Sequence, residues 1–262
     1  MIPSKPLIGI AAAMALVLAG CAAAPPENRE QAISTTLWEM AVSAEKSHDY
    51  ATAFGQYHQV YERDPTNTAA LLAMARTMRY AGAPKDAIKE LKAAIEKGGE
   101  KPELVLELGK AQLAASLIND AKETLERYLA MARRDWQAHS ALALAYDRLS
   151  RHDEAQERYR EALKLAPGNV SVTNNLALSY AVSGQLDQAI ALLGKATESE
   201  RATPQMRQNL ALLYAMRGEL KSAERLAAED LSPEQVIQNM EAYRLLRGDP
   251  APARTAVPGA RR

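Results

Sequence analysis

Side chains that could do covalent or metal chemistry are few in this sequence. The chain has one cysteine and four histidines, and no histidine has a histidine or carboxylate partner at a recognisable metal-site spacing. His48 and His152 fall in predicted turns between helices, where a solvated histidine is the expected state. The sequence contains no nucleophile elbow, no phosphate-binding loop and no redox cysteine pair. We therefore expect a protein that is not an enzyme and that uses no metal ion or cofactor.

The one cysteine, Cys21, lies in a distinctive setting near the start of the chain. Lys5 is the only charged residue before it, and residues 7–18 form an apolar run shorter than the roughly 20 residues of a permanent membrane span. Leu18-Ala19-Gly20 comes directly before the cysteine. This arrangement resembles the signal of bacterial lipoproteins, in which the chain is cleaved before the cysteine and lipid is attached to it. An ordinary cleaved secretory signal and a buried structural cysteine are the alternatives.

The resemblance to a lipoprotein implies an organisation for the first 33 residues. Residues 1–20 would be the signal peptide, and residues 21–33, which contain Pro25-Pro26, would be a lipidated tether. Acyl chains add about 0.8 kcal/mol per buried methylene, so several chains give a lasting membrane anchor. In bacterial lipoproteins, an aspartate directly after the cysteine favours retention at the inner membrane. This chain has Ala22 there, so we expect the protein at the periplasmic face of the outer membrane. With a single cysteine there is no internal disulfide, so stability must come from packing.

The elements that follow are helical and repeat in one frame. Residues 136–169 contain two amphipathic helical patterns, and Pro167-Gly168 ends the second. Three positions recur every 34 residues. The first is always alanine, the second is always a small residue, and the third lies in the predicted turn between two helices. In order, these are Ala53, Ala87, Ala121, Ala155, Ala189 and Ala223; Ala41, Ala75, Gly109, Ala143, Ala177 and Ala211; and His48, Gly82, Ser116, Ser150, Gly184 and Gly218.

This 34-residue frame resembles the tetratricopeptide repeat (TPR) family. The resemblance implies an all-α fold, a right-handed α-solenoid of about six helix-turn-helix units over residues 34–237. The units would be 34–67, 68–101, 102–135, 136–169, 170–203 and 204–237. A plain helical bundle is the alternative, but it would not hold one frame over six units. Residues 233–247 are predicted to form a C-terminal capping helix with Val236, Met240, Tyr243 and Leu246 on one face. Residues 248–262 are predicted to be a disordered tail.

Function in such a solenoid is expected on the concave surface that helix A of each unit lines. The family pattern points positions 2, 5, 6, 9, 12 and 13 of each unit towards it. The groove residues so implied include cations in the first half, Arg76, Arg79 and Lys110. The fourth unit supplies Leu144 and Arg148. The second half supplies Leu178, Val182, Leu212 and Met216, flanked by Asn174, Asn175 and Asn209.

The groove predicts a protein partner rather than nucleic acid. Lysine plus arginine and aspartate plus glutamate are each 32, so the chain has no bulk attraction to a polyanion. We expect an apolar peptide or helix to dock in the second half of the groove, with an acidic flank facing the first half. Packing of the apolar residues against a neighbouring or terminal helix is the alternative. Asn175 and Asn209 share the sixth position of consecutive units, which some TPR proteins use to hold a peptide backbone.

The segment from Asp230 to Arg247 points to a particular family among the many TPR proteins. Its Leu231-Ser232-Pro233 start, following a lipoprotein-like signal and TPR units, is similar to the TadD family of tight-adherence (Flp) pilus assembly. That resemblance implies a pilotin, which would help an outer-membrane secretin or another pilus-assembly component to localise or assemble. The alternatives are another envelope TPR lipoprotein, either a type IVa pilotin or an adaptor for periplasmic peptidases or cell-wall enzymes.

Overall fold

The computed structural model describes residues 26–248, with side chains from 29 to 246, and this part of the chain is all-α. The thirteen helices in this range are α1 Pro26–Lys46, α2 Tyr50–Arg63, α3 Thr68–Tyr80, α4 Pro84–Gly98, α5 Pro102–Ala114, α6 Ile118–Met131, α7 Trp136–Arg148, α8 His152–Leu165, α9 Val170–Val182, α10 Leu186–Thr197, α11 Pro204–Arg217, α12 Leu220–Ala227 and α13 Pro233–Arg247. The expected signal peptide, Cys21 and all but the first residue of the expected tail over 248–262 lie outside the described residues.

The helices pack in chain order as an α-solenoid, as expected. Each helix from α1 to α12 packs against the next, which makes α1 and α2, α3 and α4, and so on the A and B helices of six units. Helices α3, α5, α7, α9 and α11 also contact one another in series, so the A helices form the inner row. The side chains that the inner row turns away from the B helices therefore share one surface, the concave groove.

The repeated small residues lie where the helices cross. The six frame alanines from Ala53 to Ala223 are fully buried, with exposed fractions of 0%. A larger side chain at such a crossing would push helix axes beyond their usual separation of about 8–10 Å. Gly109 shows how little space remains, because a Cβ built there would lie 2.8 Å from the Leu125 side chain.

The turns inside the units share one backbone conformation. All six frame positions between helix A and helix B have positive φ, from 58° at Ser150 to 99° at Gly218. Three of them are not glycine, namely His48, Ser116 and Ser150. For a residue other than glycine, this left-handed backbone conformation costs roughly 1 kcal/mol or more of conformational free energy. The geometry of the turn is therefore set by the packing of the two helices and not by glycine alone.

The first unit differs from the predicted layout. Helix α1 begins at Pro26, so residues 26–33, which the sequence assigns to a tether, are helical. Glu30 in this extension bonds to Arg63 at the end of α2, with 2.6 Å between carboxylate and guanidinium. Met40 is 50% exposed, although its frame equivalents in the later units are buried, because no helix precedes α1 within the described residues to cover it.

The last unit is closed by α13. Helix α12 ends at Ala227, three residues before the start of the Asp230–Arg247 segment. Ser232 caps α13 and forms a capping box with Gln235, and Pro233 is the first helical residue, where its missing N–H costs nothing. Val236, Met240 and Tyr243 pack on α11 and α12 as expected, but Leu246 is 71% exposed. At 3.6 residues per turn, Leu246 lies about 80° around the helix from Val236, at the edge of the face that packs.

Candidate partner-binding groove

Two adjoining clefts lie on the inner row of helices. The larger, here called the cationic cleft, has a volume of about 450 Å³ and is lined from α3, α5, α7 and α9. The second, here called the apolar cleft, has a volume of about 340 Å³ and is lined mainly from α7 and α9. Leu144, Arg148 and Asn175 line both, so the two clefts are neighbouring parts of one groove.

Arg76, predicted to carry positive charge in the groove, is neutralised by α1. Its Nε and Nη2 atoms each donate to Glu45 at 2.8 Å, and the Tyr57 hydroxyl donates to the same carboxylate at 2.9 Å. Burial alone would raise the pKa of Glu45, but the hydrogen bonds from Arg76 and Tyr57 outweigh it and lower that pKa. Burial and the Glu45 carboxylate raise the pKa of Tyr57 to about 12. Arg76 lines neither cleft, and its charge holds the first two units together.

Arg79 reaches the cationic cleft, but its charge is also compensated. Its Nε donates to Glu107 at 3.0 Å, and the two side chains are only 15% and 10% exposed. The guanidinium also lies 4.5 Å from the centre of the Tyr80 ring. Glu107 lies on α5 and Arg79 on α3, so this ion pair joins the second and third units. The expected basic first half of the groove is therefore largely neutral at Arg76 and Arg79.

Lys110 is different, because it forms no ion pair with any described residue. Its Nζ donates to the Gln137 side chain at 2.6 Å, a neutral partner on α7. Burial lowers the pKa of Lys110, and the attraction of Glu107 offsets this only in part. A partly buried ammonium without a carboxylate is costly unless a ligand supplies the opposite charge. Lys110 is thus an uncompensated cation of the cationic cleft.

Arg148 and Asn175 are also uncommitted. Arg148 is exposed at the end of α7, and Asn175 is half-buried on α9. Neither side chain has a hydrogen bond or ion pair among the contacts of the described chain. Since both line both clefts, a guanidinium and an amide stand at the junction of the cationic and apolar clefts.

The apolar cleft is lined by Leu144, Leu178 and Val182, and Val182 is 65% exposed. Asp147 is the one carboxylate among its lining residues. It accepts from the Ser179 hydroxyl at 2.7 Å and lies 3.0 Å from Nδ1 of His152. His152 is therefore the first residue of α8, held by Asp147 and half-buried, rather than the solvated turn residue expected from the sequence.

One of the two asparagines expected to hold a peptide backbone, Asn209, is hydrogen-bonded within the chain. Asn209 Nδ2 donates to Asn174 Oδ1 at 2.6 Å, so it is Asn174, and not Asn175, that joins α9 to α11. Leu212 packs in the cluster that α11 forms with α12 and α13, which is the alternative that the sequence left open. Met216 is 45% exposed but lines neither cleft. The second half of the predicted groove therefore reduces to Leu178, Val182 and Asn175.

The sequence missed part of the cationic cleft. Trp136, Gln137 and Ser140 line it from the first turns of α7. Gln137 and Ser140 occupy the second and fifth positions of unit four, which the family pattern assigns to the concave face, so that pattern could have named them. Trp136 is the first residue of its unit and carries no such signal.

Residues 26–248 contain neither a group of side chains placed to bind a metal ion nor a helix that could span a membrane. In that part of the chain, no group of three histidine, cysteine, aspartate or glutamate side chains is arranged to hold a metal ion. Its helices are also too short or too polar for any of them to cross a bilayer.

Fold and groove together define a helical-repeat protein that presents a concave surface. The sequence profile described as tetratricopeptide repeat matches residues 78–145 and 149–213, about half of the chain. The chain belongs to the tetratricopeptide repeat family, whose fold is a protein-interaction scaffold. No curated protein matches the chain.

Solved structures share the fold at low sequence identity. PilW, described as a widely conserved type IV pilus biogenesis factor, is 18% identical with a TM-score of 0.66, over 79% of this chain and 98% of its own. The pilF protein of Pseudomonas aeruginosa is 13% identical with a TM-score of 0.63, over 84% and 99%. A thermophilic TPR protein of Thermus thermophilus, TTC0263, is 24% identical with a TM-score of 0.56, over 67% and 97%. At these identities the likeness shows the fold alone.

Proposed function

We propose that this protein is a lipid-anchored TPR scaffold that serves pilus assembly at the periplasmic face of the outer membrane. The proposal rests on the order of three features along the chain. A lipoprotein-like signal ending at Cys21 precedes six TPR units, and a capped helix, α13, closes the last unit. A tethered scaffold of this kind can hold a partner close to the membrane surface without enzymatic chemistry.

The pilus assignment rests on two supports of different kinds. The segment from Asp230 to Arg247 is similar to the TadD family of the tight-adherence pilus. The solved PilW, described as a type IV pilus biogenesis factor, has the same fold over most of both chains. The role that fits best is that of a pilotin, which binds a secretin subunit or another pilus-assembly component through the concave groove.

The junction with α13 gives that segment a structural role as well. Arg207 on α11 donates through Nε to Asp230 at 2.8 Å, and a second guanidinium nitrogen contacts the same carboxylate. The hydrogen bond from Arg207 lowers the pKa of Asp230. The ion pair therefore holds the connection between α12 and α13 against the last unit, so the start of the TadD-like segment also closes the solenoid.

The test is a pull-down from detergent-solubilised envelopes, with wild type compared with the Cys21→Ser variant. We expect a secretin to be recovered with the wild type and to be mislocalised in cells that carry the variant. Recovery of periplasmic peptidases or cell-wall enzymes, with secretin rings unchanged, would replace the proposal with a general envelope adaptor. Scoring pilus assembly against cell shape after gene deletion separates the same alternatives.

A further inference from the structure

Unpaired positive charge is concentrated at one place in the groove. Lys110 and Arg148 line the cationic cleft, and no aspartate or glutamate is among its lining residues. The carboxylates that act on Lys110 from nearby are both engaged elsewhere. Glu107 accepts from Arg79, and Asp135 accepts from the Tyr128 hydroxyl at 2.7 Å and from the first amides of α7. The cleft therefore holds two cations, Lys110 and Arg148, whose charges no lining carboxylate balances.

An apolar surface adjoins this charge directly. Leu144 and Arg148 belong to both clefts, so a ligand that reaches Arg148 is already in contact with the apolar cleft. Leu178 and Val182 supply its wall, and the 65% exposure of Val182 leaves apolar area for a ligand to cover. Asp147, the one carboxylate on this wall, is hydrogen-bonded to Ser179 and His152, so an acidic ligand group is better placed in the cationic cleft, which no carboxylate lines.

Uncharged hydrogen-bonding groups stand between the two features. The Asn175 amide lies at the junction of the clefts, and Ser140 lines the cationic cleft one helix away. An asparagine side chain offers both donors and an acceptor, which matches the alternating N–H and C=O groups of an extended peptide. Asn209, the other residue expected to do this, is already bonded to Asn174.

We propose that Lys110, Arg148, Asn175 and Leu178 form a bipartite site for a partner segment in which an aspartate or glutamate is followed closely by an apolar residue. The carboxylate binds between Lys110 and Arg148, and the apolar side chain covers Leu178 and Val182. Charge-assisted hydrogen bonds of this kind are roughly twice as strong as neutral ones. This inference rests on the proposed function, since it names the chemistry of the segment that the scaffold binds.

The test begins with a library of random peptides displayed on phage and selected on the purified full chain. We expect enriched peptides to share an acidic residue close to an apolar one. One such peptide is then synthesised with a fluorescent label, and its affinity is measured by anisotropy. The double variant Lys110→Gln/Arg148→Gln should weaken binding about tenfold or more, since a hydrogen bond to a charged group contributes about 1.5–3 kcal/mol. Leu178→Glu should weaken it as well.

The matched control is Arg76→Gln, because Arg76 is on the same inner row but is held by Glu45 and lines neither cleft. It should leave the affinity unchanged. Asp→Asn or Glu→Gln in the peptide should reproduce the loss with wild-type protein, so the test survives if a protein variant folds poorly. Binding should also weaken with added salt, since the contact is electrostatic.

The outcomes separate this inference from the proposed function. A selected consensus without an acidic residue, no enrichment at all, or an affinity that neither the double variant nor the neutral peptide changes would overturn the bipartite site. Recovery of pilus components in the envelope pull-down would then leave the proposed function standing. Acidic-apolar binding at Lys110 and Arg148, together with recovery of cell-wall enzymes alone, would overturn the proposed function and keep the site.

Discussion

The two parts of the inner row use the same residue types for different purposes. In α1 to α5, Arg76 and Arg79 are held by Glu45 and Glu107 across neighbouring A helices. Further along, Lys110 and Arg148 have no carboxylate partner among the described residues and line the cationic cleft. The first pair of cations joins repeats, and the second pair is available to a ligand. A cation on a concave face is therefore a binding residue only if the adjacent repeat leaves its charge uncompensated.

The largest effect expected from this comparison is at the buried Arg79–Glu107 pair. Glu107→Gln leaves a guanidinium that is 15% exposed without its counter-ion, and we expect a loss of about 2–3 kcal/mol in the free energy of unfolding. Denaturation by urea, followed by circular dichroism, measures it. The double variant Arg79→Met/Glu107→Leu should recover much of the loss, because neither charge remains. A Glu107→Gln variant as stable as wild type would show that this pair does not join the repeats.

A smaller and pH-dependent effect is expected at Glu45. Its folded-state pKa is lowered, so its contribution is present above the ordinary value of 4.5 and is lost as the pH falls through the folded pKa. Glu45→Gln should cost up to about 1 kcal/mol at neutral pH, because the pair is partly exposed and screened. The cost should vanish in acid. Thermal melting at both pH values measures this, with Glu39→Gln, exposed on the same helix, as the control that should show no such change.

Lys110 should behave in the opposite way to the paired cations. Burial lowers its pKa, so the folded protein binds its proton less tightly than the unfolded chain does. Stability should therefore rise as the pH increases from the folded pKa towards the ordinary value of 10.5. Lys110→Met should be at least as stable as wild type at neutral pH and should lose this rise. Melting curves between neutral and alkaline pH test it, with exposed Lys46→Met as the control that keeps the rise.

The smallest effect on stability is expected at Arg148. Since Arg148 forms no hydrogen bond or ion pair within the described chain, Arg148→Gln should change the free energy of unfolding by no more than about 0.5 kcal/mol. Its affinity for an acidic-apolar peptide should nevertheless fall. Urea denaturation beside peptide anisotropy measures both quantities on one sample. If the Arg148→Gln variant loses stability and keeps its affinity for the peptide, then Arg148 joins repeats and does not bind the ligand.

Much of the fold was predictable because its cause is local and periodic. The 34-residue frame places alanines at every helix crossing, and all six are fully buried. The capping helix predicted over residues 233–247 has the same bounds as α13, because Ser232 caps the helix and Pro233 begins it. The start of α1 was not predictable, because its extension over residues 26–33 includes a contact made in three dimensions, from Glu30 to Arg63.

For the candidate site, too, one part could be predicted from the sequence and another part only from the tertiary structure. The sequence, through its resemblance to the TPR family, assigned Lys110, Leu144, Arg148, Asn175, Leu178 and Val182 to the concave surface, and these six residues line the two clefts. Only the tertiary structure decided which of the groove residues remain free. Whether Arg79 or Lys110 meets a carboxylate depends on a residue about one repeat away, and whether Leu212 is available depends on α13. Such pairings arise when neighbouring repeats stack, and no spacing along the chain encodes them.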